Sequence, residues 1–167
     1  MKINWVYHNN YDIPLSENHR FTSTKFSDLF FELKKKELYE NAILHSPLKA
    51  NCNDLSISHC ISYIDKIKKG SLNYNEERKL GLTWSKRLSE RSFLAVNGTL
   101  LAANLALESG IGCHLGGGTH HSHFDYGSGF CVFNDLAYSA LSLIKNKLVK
   151  KILIFDCDVH QGDGTAS

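Results

Sequence analysis

The nonapeptide Asp156-Cys157-Asp158-Val159-His160-Gln161-Gly162-Asp163-Gly164 puts three carboxylates and one imidazole into nine residues. In an extended chain, residues two apart project to the same side, so Asp156, Asp158 and His160 can converge. A carboxylate and an imidazole aimed at one point suit a divalent metal, and such a donor set accepts zinc or iron. Gly162 and Gly164 then permit a sharp turn. The competing reading is a polar strand-to-loop junction whose Asp and His close local turns.

A second group is Gly116-Gly117-Gly118-Thr119-His120-His121. Imidazole titrates near neutrality, and a carboxylate partner fixes its tautomer, so a tandem pair beside a strand end reads as acid/base machinery. Asp156 and Asp163 are available as partners, and His123 reads as a loop residue. The third group, Gly127-Ser128-Gly129-Phe130-Cys131, offers an aromatic ring after a flexible loop. Phe130 is either a channel wall or a core residue entering the next helix, which Asn134 or Asp135 would cap. Other chemistries fit worse. There is no G-x-S-x-G elbow, P-loop or G-x-G-x-x-G fingerprint. Cys131 and Cys157 remain as conceivable nucleophiles, but Cys157 would sit on a buried strand and pack.

These groups need elements to hold them. Ile3 to His8 reads as a strand, followed by a loop over 9–21. Phe26, Leu29, Phe30 and Leu33 give helical spacing within Ser23 to Lys36, whose Lys34-Lys35-Lys36 end reads as a solvated last turn. Residues 45–54 are a connector, Ile57 to Ile67 a short helix, and 70–85 a loop. Ser89 to Glu108 is the strongest helix, with Phe93, Val96, Leu100, Ala103 and Leu107 in one stripe and Gly110 as a stop. Gly98 inside it predicts close packing against a neighbour. Ile111 to Leu115 is a strand, 119–130 a loop, and Asn134 to Lys147 a helix. Ile152-Leu153-Ile154-Phe155, within Lys151 to Asp156, reads as a strand buried on both faces. The alternation of strands and helices predicts an α/β fold with a parallel sheet, and no domain boundary interrupts residues 1–167.

With 167 residues, 43% hydrophobic and 22% charged, the chain has the composition of one soluble domain. A net charge of +2 is too small to suggest a nucleic-acid or membrane partner. Five cysteines without a C-x-x-C pair argue against both a structural zinc site and a disulfide framework. Together with an N-terminus lacking a signal-like apolar run, this predicts a cytoplasmic location.

GGGTHHSHFDYGSGFCVFND, followed by LIFDCDVHQGDGTA, resembles the zinc-dependent histone deacetylases of the arginase/deacetylase superfamily. The segments Asn18-His19-Arg20-Phe21 and Gly81-Leu82-Thr83-Trp84-Ser85, and the helix around Gly98-Thr99-Leu100, are most similar to the bacterial and class IV branch. The resemblance implies an arginase/deacetylase-type parallel sheet flanked by helices, of which this chain is the N-terminal portion. It implies Asp158 and His160 as zinc ligands, with a His121–Asp163 pair as the main general base and acid. It implies a His120–Asp156 pair for electrostatic support, with Asp156 also ligating a structural potassium ion. Gly129 and Phe130 would line an acyl-lysine tunnel, and Arg20 an internal cavity that handles acetate. The implied reaction is hydrolysis of acetyl-lysine or a small acetylated amine to acetate and amine.

Family members supply a third metal ligand, an aspartate, and an oxyanion-stabilising tyrosine further downstream than Ser167. The expectation is therefore a truncated chain, inactive by itself, whose last strand exposes a raw edge. The alternatives are a gene remnant or binding module, and another metallohydrolase of the arginase side. The tandem histidines and the Gly-Phe-Cys segment disfavour the last.

Overall fold

The computed structural model describes residues 2–36 and 38–167. Three short parallel strands form the sheet: β1 (Ile3–Val6), β2 (Ala42–His45) and β3 (Gly112–His114), in the order β2-β1-β3. All-parallel pairing forces crossovers, and helices supply them. The helices are α1 (Lys25–Lys35), α2 (Cys52–Leu55), α3 (Ile61–Lys69), α4 (Tyr74–Leu80), α5 (Lys86–Ser109), α6 (Asp135–Lys145) and α7 (Asp163–Ala166). A 3₁₀ turn over Leu38–Asn41 leads into β2. The α/β class and parallel sheet match the sequence expectation.

Helix α5 organises the molecule. It starts at Ser85, whose hydroxyl caps Leu88 N–H, and it stops at the left-handed Gly110. It packs on α6, β3 and β1. Gly98 is the point of closest approach: a Cβ there would lie 2.4 Å from the His114 ring and 2.5 Å from the Tyr11 hydroxyl. The close packing read from the sequence is real. One core cluster joins α3, α5 and α6 through Tyr63, Ile64, Leu88, Phe93, Val96, Phe133 and Tyr138. A second joins Tyr7, Tyr11, Phe26, Phe30 and Leu94, with Tyr7 stacked on Phe30 at 4.2 Å.

Four expectations need correction. Residues 70–85 contain α4, started by a reciprocal capping box between Asn73 and Glu76. The connector over 45–54 already enters α2, which is capped by Asn51 and ends at Leu55. The apolar run Ile152–Phe155 is not a strand. It is extended, but among the described residues it joins no ladder, and Leu153 and Phe155 are 88% and 84% exposed. Cys157 is exposed with it, not packed. Hydrophobic composition alone does not make a strand; a neighbour must take the backbone hydrogen bonds.

Candidate active site

The histidine loop begins where β3 ends. Asp135, the first residue of α6, is fully buried behind it. Its carboxylate accepts the N–H groups of Gly118 (2.9 Å) and Thr119 (2.7 Å), the Thr119 hydroxyl (2.7 Å) and the Thr99 hydroxyl. Thr99 spends its proton on Asp135, so its oxygen accepts from His114 Nδ1–H at 2.7 Å. His114 Nε2 then accepts the Tyr11 hydroxyl at 2.7 Å. Burial favours the neutral form of both rings, lowering the His114 pKa and raising that of Tyr11.

Asn134 does the same for the far side of the loop. Its Oδ1 caps α6 by accepting Ala137 N–H. Its Nδ2 donates to the carbonyls of His120 (3.3 Å) and Ser122 (3.1 Å) and to the Thr165 hydroxyl (3.0 Å). Asn134 N–H donates to His59 Nε2, and His59 Nδ1 donates to the His123 carbonyl, both at 2.9 Å. Burial pushes His59 down to about 4, so the ring is neutral, one nitrogen donating and the other accepting.

On this scaffold the two imidazoles stand 4.2 Å apart, centroid to centroid. His120 Nδ1 lies 2.7 Å from Asp156 Oδ2, and His121 Nδ1 lies 3.0 Å from Asp163 Oδ1. The bond from His120 holds the Asp156 carboxyl below the usual carboxylate range, and the bond from His121 does so for Asp163. Helix α7 is drawn to the loop by Thr165 N–H, which donates to the His120 carbonyl at 3.0 Å. Gly164 permits this: a Cβ there would lie 2.4 Å from the Ser122 carbonyl oxygen.

Asp158 and His160 reach the same cavity. His160 donates its backbone N–H to Asp158 Oδ1 at 2.7 Å, and its Nδ1 lies 2.8 Å from the same oxygen. Asp158 N–H donates to Asp156 Oδ1 at 2.9 Å. The turn hydrogen bonds of the simpler reading are thus present, and of the three residues Asp158 and His160 line the cavity while Asp156 is turned to His120. In kind, a carboxylate oxygen and an imidazole nitrogen fit zinc. In number they are two, whereas catalytic zinc takes three protein ligands, and among the described residues no group of three His, Cys, Asp or Glu could hold a metal ion.

The cavity encloses about 300 Å³. Phe130 and Phe21 form one wall, with ring centroids 5.5 Å apart, so Phe130 is a cavity residue as well as a partner of the core. Gly129 and Phe130 both have positive φ, 53° and 66°, which turns the Phe130 ring toward His19 and Phe21. A Cβ at Gly129 would lie 2.5 Å from the His121 ring. Arg20 is exposed and does not line the cavity. Lys25 and Arg91 line it instead. Arg91 is buried, lies over the Phe26 ring at 4.7 Å, and its Nε has no hydrogen-bond partner. Burial lowers the pKa of both cations. A charged residue inside the buried face of α5 was the sequence signal for Arg91. Cys131 also lines the cavity, but burial raises its thiol to about 11, so it is no thiolate nucleophile near neutral pH.

Two carboxylate-paired histidines, His120 buried and His121 partly exposed, follow the end of a parallel strand and share one cavity with a second carboxylate–imidazole pair. The model of the histone deacetylase domain matches residues 19–167, and the chain belongs to that family. An uncharacterized protein of Picosynechococcus sp. is 41% identical over 161 residues, covering 96% of this chain and 54% of its own length. The acetoin utilization protein AcuC of Staphylococcus aureus is 37% identical over 145 residues, covering 77% and 37% respectively. The crystal structure of the HDA15 HD domain superposes with a TM-score of 0.80 at 18% identity, covering 98% of this chain and 49% of that one. The chain therefore spans about half of these relatives, or less. No described helix is long and apolar enough to cross a membrane.

Proposed function

We propose that these residues carry the acid–base half of a metal-dependent deacetylase site, for hydrolysis of acetyl-lysine or a small acetylated amine. The observation that supports it most is the pair of His–Asp contacts, 2.7 and 3.0 Å, beside Asp158 and His160 on one cavity. Asp158 and His160 would hold zinc, or iron. Asp156 is also the residue that would serve a structural potassium ion. When bound, the metal would polarise the acetamide carbonyl and acidify a water.

The protein's own groups do the rest. Asp163 holds the proton of His121 on Nδ1, which leaves Nε2 free to take a proton from water and return it to the departing amine. His120 with Asp156 adds a second oriented imidazole. Phe130 and Phe21 make a slot that excludes water from an acyl-lysine stem, and Gly129 leaves the His121 ring uncovered. Lys25 and Arg91, two cations with an unpartnered N–H between them, suit an acetate product. In this role they replace Arg20.

Two donors of a three-ligand set favour a further reading of the 167 residues alone: they bind metal weakly and do not turn over substrate. The test is zinc titration of the purified chain, followed by incubation with an acetyl-lysine peptide. The expected result is weak zinc uptake that disappears in Asp158→Ala, and acetate release no greater than in His121→Ala. Zinc uptake that survives Asp158→Ala would remove the metal assignment. Turnover above the His121→Ala control would show that these residues suffice.

A further inference from the structure

We infer that His123 is a positioning residue for the His121–Asp163 dyad, an inference that rests on the reading of His121 as the general base. Asp163 is poorly anchored by its own element. It begins a four-residue turn, and its side chain is half-exposed. His121 engages only one of its oxygens, Oδ1. One hydrogen bond leaves a carboxylate free to rotate about its side chain. The second oxygen, Oδ2, lies 3.5 Å from His123 Nε2. Asp163 is thus held from two sides by two imidazoles three atoms of carboxylate apart.

His123 itself is fixed. Its backbone N–H donates to the Tyr126 carbonyl at 2.9 Å, and its carbonyl accepts from the buried His59 at 2.9 Å. Its ring stacks on Tyr126 at 4.5 Å with 23° between planes, and the Lys79 ammonium lies 3.2 Å from the centroid of that tyrosine. A loop residue with both main-chain groups and its ring face occupied has little freedom left except to present its edge to Asp163. At 3.5 Å the contact is longer than a close hydrogen bond, so its work is to orient the carboxylate toward His121 and not to share a proton. His123 touches neither Asp158 nor His160 and lines no part of the cavity, so it acts only through Asp163.

The tautomer of His121 reports on this arrangement, because the nitrogen that carries the proton is set by the hydrogen bond it makes. The experiment is a long-range ¹H–¹⁵N correlation of imidazole nitrogens on the complete 167-residue chain near neutral pH. The variants are His123→Phe, which keeps the ring on Tyr126 but removes the nitrogen, and His123→Gln, which restores an N–H donor at similar reach. In the wild type, His121 should carry its proton on Nδ1. In His123→Phe that form should cease to dominate, and His123→Gln should recover it, with the His59 signals unchanged in both as a check on the fold. A wild-type His121 signature in a folded His123→Phe chain would overturn the inference. So would a loss in His123→Phe that His123→Gln fails to recover. The deacetylase reading is tested separately in the same samples: zinc should shift the His160 signals, and its failure to do so would count against that reading while leaving the His123 result intact.

Discussion

Residues 116–135 and residues 150–163 each deliver part of the cavity's chemistry, and they are held differently. The first segment is bound from behind by Asp135, Asn134 and His59, all fully buried and all hydrogen-bonded to loop backbone. The second runs over the surface with Leu153, Phe155 and Val159 exposed, and it joins the body where Asp156 meets His120 and Asp163 meets His121. The imidazoles are therefore preorganised by a network closed within the chain. The carboxylate and imidazole suited to a metal depend on a segment with no ladder of its own. Folding and metal binding should respond to mutation at opposite ends of the molecule's stability scale.

The sharpest way to break the contrast is to remove the buried carboxylate. Asp135→Ala leaves the N–H groups of Gly118 and Thr119 and the hydroxyls of Thr99 and Thr119 without their acceptor. Unpaired buried donors cost about 1–3 kcal/mol each, with partial relief by water. The expected loss is about 4 kcal/mol, read as a shift of the urea midpoint. A loss under about 1 kcal/mol would mean that the loop holds its shape by packing alone.

Acid should attack the same network next. His59 titrates near 4 when folded and near the ordinary 6.5 when unfolded. Between those values the unfolded chain binds the extra proton, so the stability contributed by neutral His59 is complete above pH ~6.5 and falls as pH drops toward ~4. The full difference is on the order of 3 kcal/mol. Asp156 and Asp163, held below the usual carboxylate range, lose their contributions in more acidic solution still. Urea unfolding at several pH values, compared with His59→Gln, isolates the histidine. Gln can donate and accept in the same two directions but does not titrate, so its curve should be flatter. Parallel curves would mean that His59 carries no such linkage.

Much of this was legible in the sequence, for physical reasons. Periodicity located α1 and α5, because each must turn an apolar face to the core, and α6 was also read as a helix. Gly98 announced a close approach, and Asn134 was one of two named candidates for the cap it provides. Residue types and spacing picked out His120, His121, Asp156, Asp158, His160 and Asp163, and the structure brings all six to one cavity or its immediate wall. What was missed depends on contacts distant in sequence. Asp135 looks like one more helix-start acid until Thr99, Gly118 and Thr119 are seen around it. His59 is an isolated histidine in an unremarkable segment, yet it joins Asn134 to His123. Lys25 and Arg91 lie on different helices, and only the fold makes them neighbours of one cavity, where Arg20 was expected. The run Ile152–Phe155 misled in the other direction, because composition reports the wish to be buried and not whether a partner is present.

That run gives the smallest expected effect on folding and the clearest contrast with Asp135. Leu153 and Phe155 touch little within the chain, so replacing either with lysine removes almost no packing. Surface substitutions of this kind change stability by less than about 0.5 kcal/mol, and the urea midpoint should stay at the wild-type value. Solution behaviour should change more. An extended, unpaired apolar segment is a template for pairing with another chain, and charge on such an edge opposes it. Sedimentation of Phe155→Lys against wild type should show less self-association at equal concentration, with the His120–Asp156 contact intact. A midpoint lowered by more than about 1 kcal/mol would show instead that Phe155 is packed in solution, and the division between a closed histidine network and an open aspartate segment would have to be redrawn.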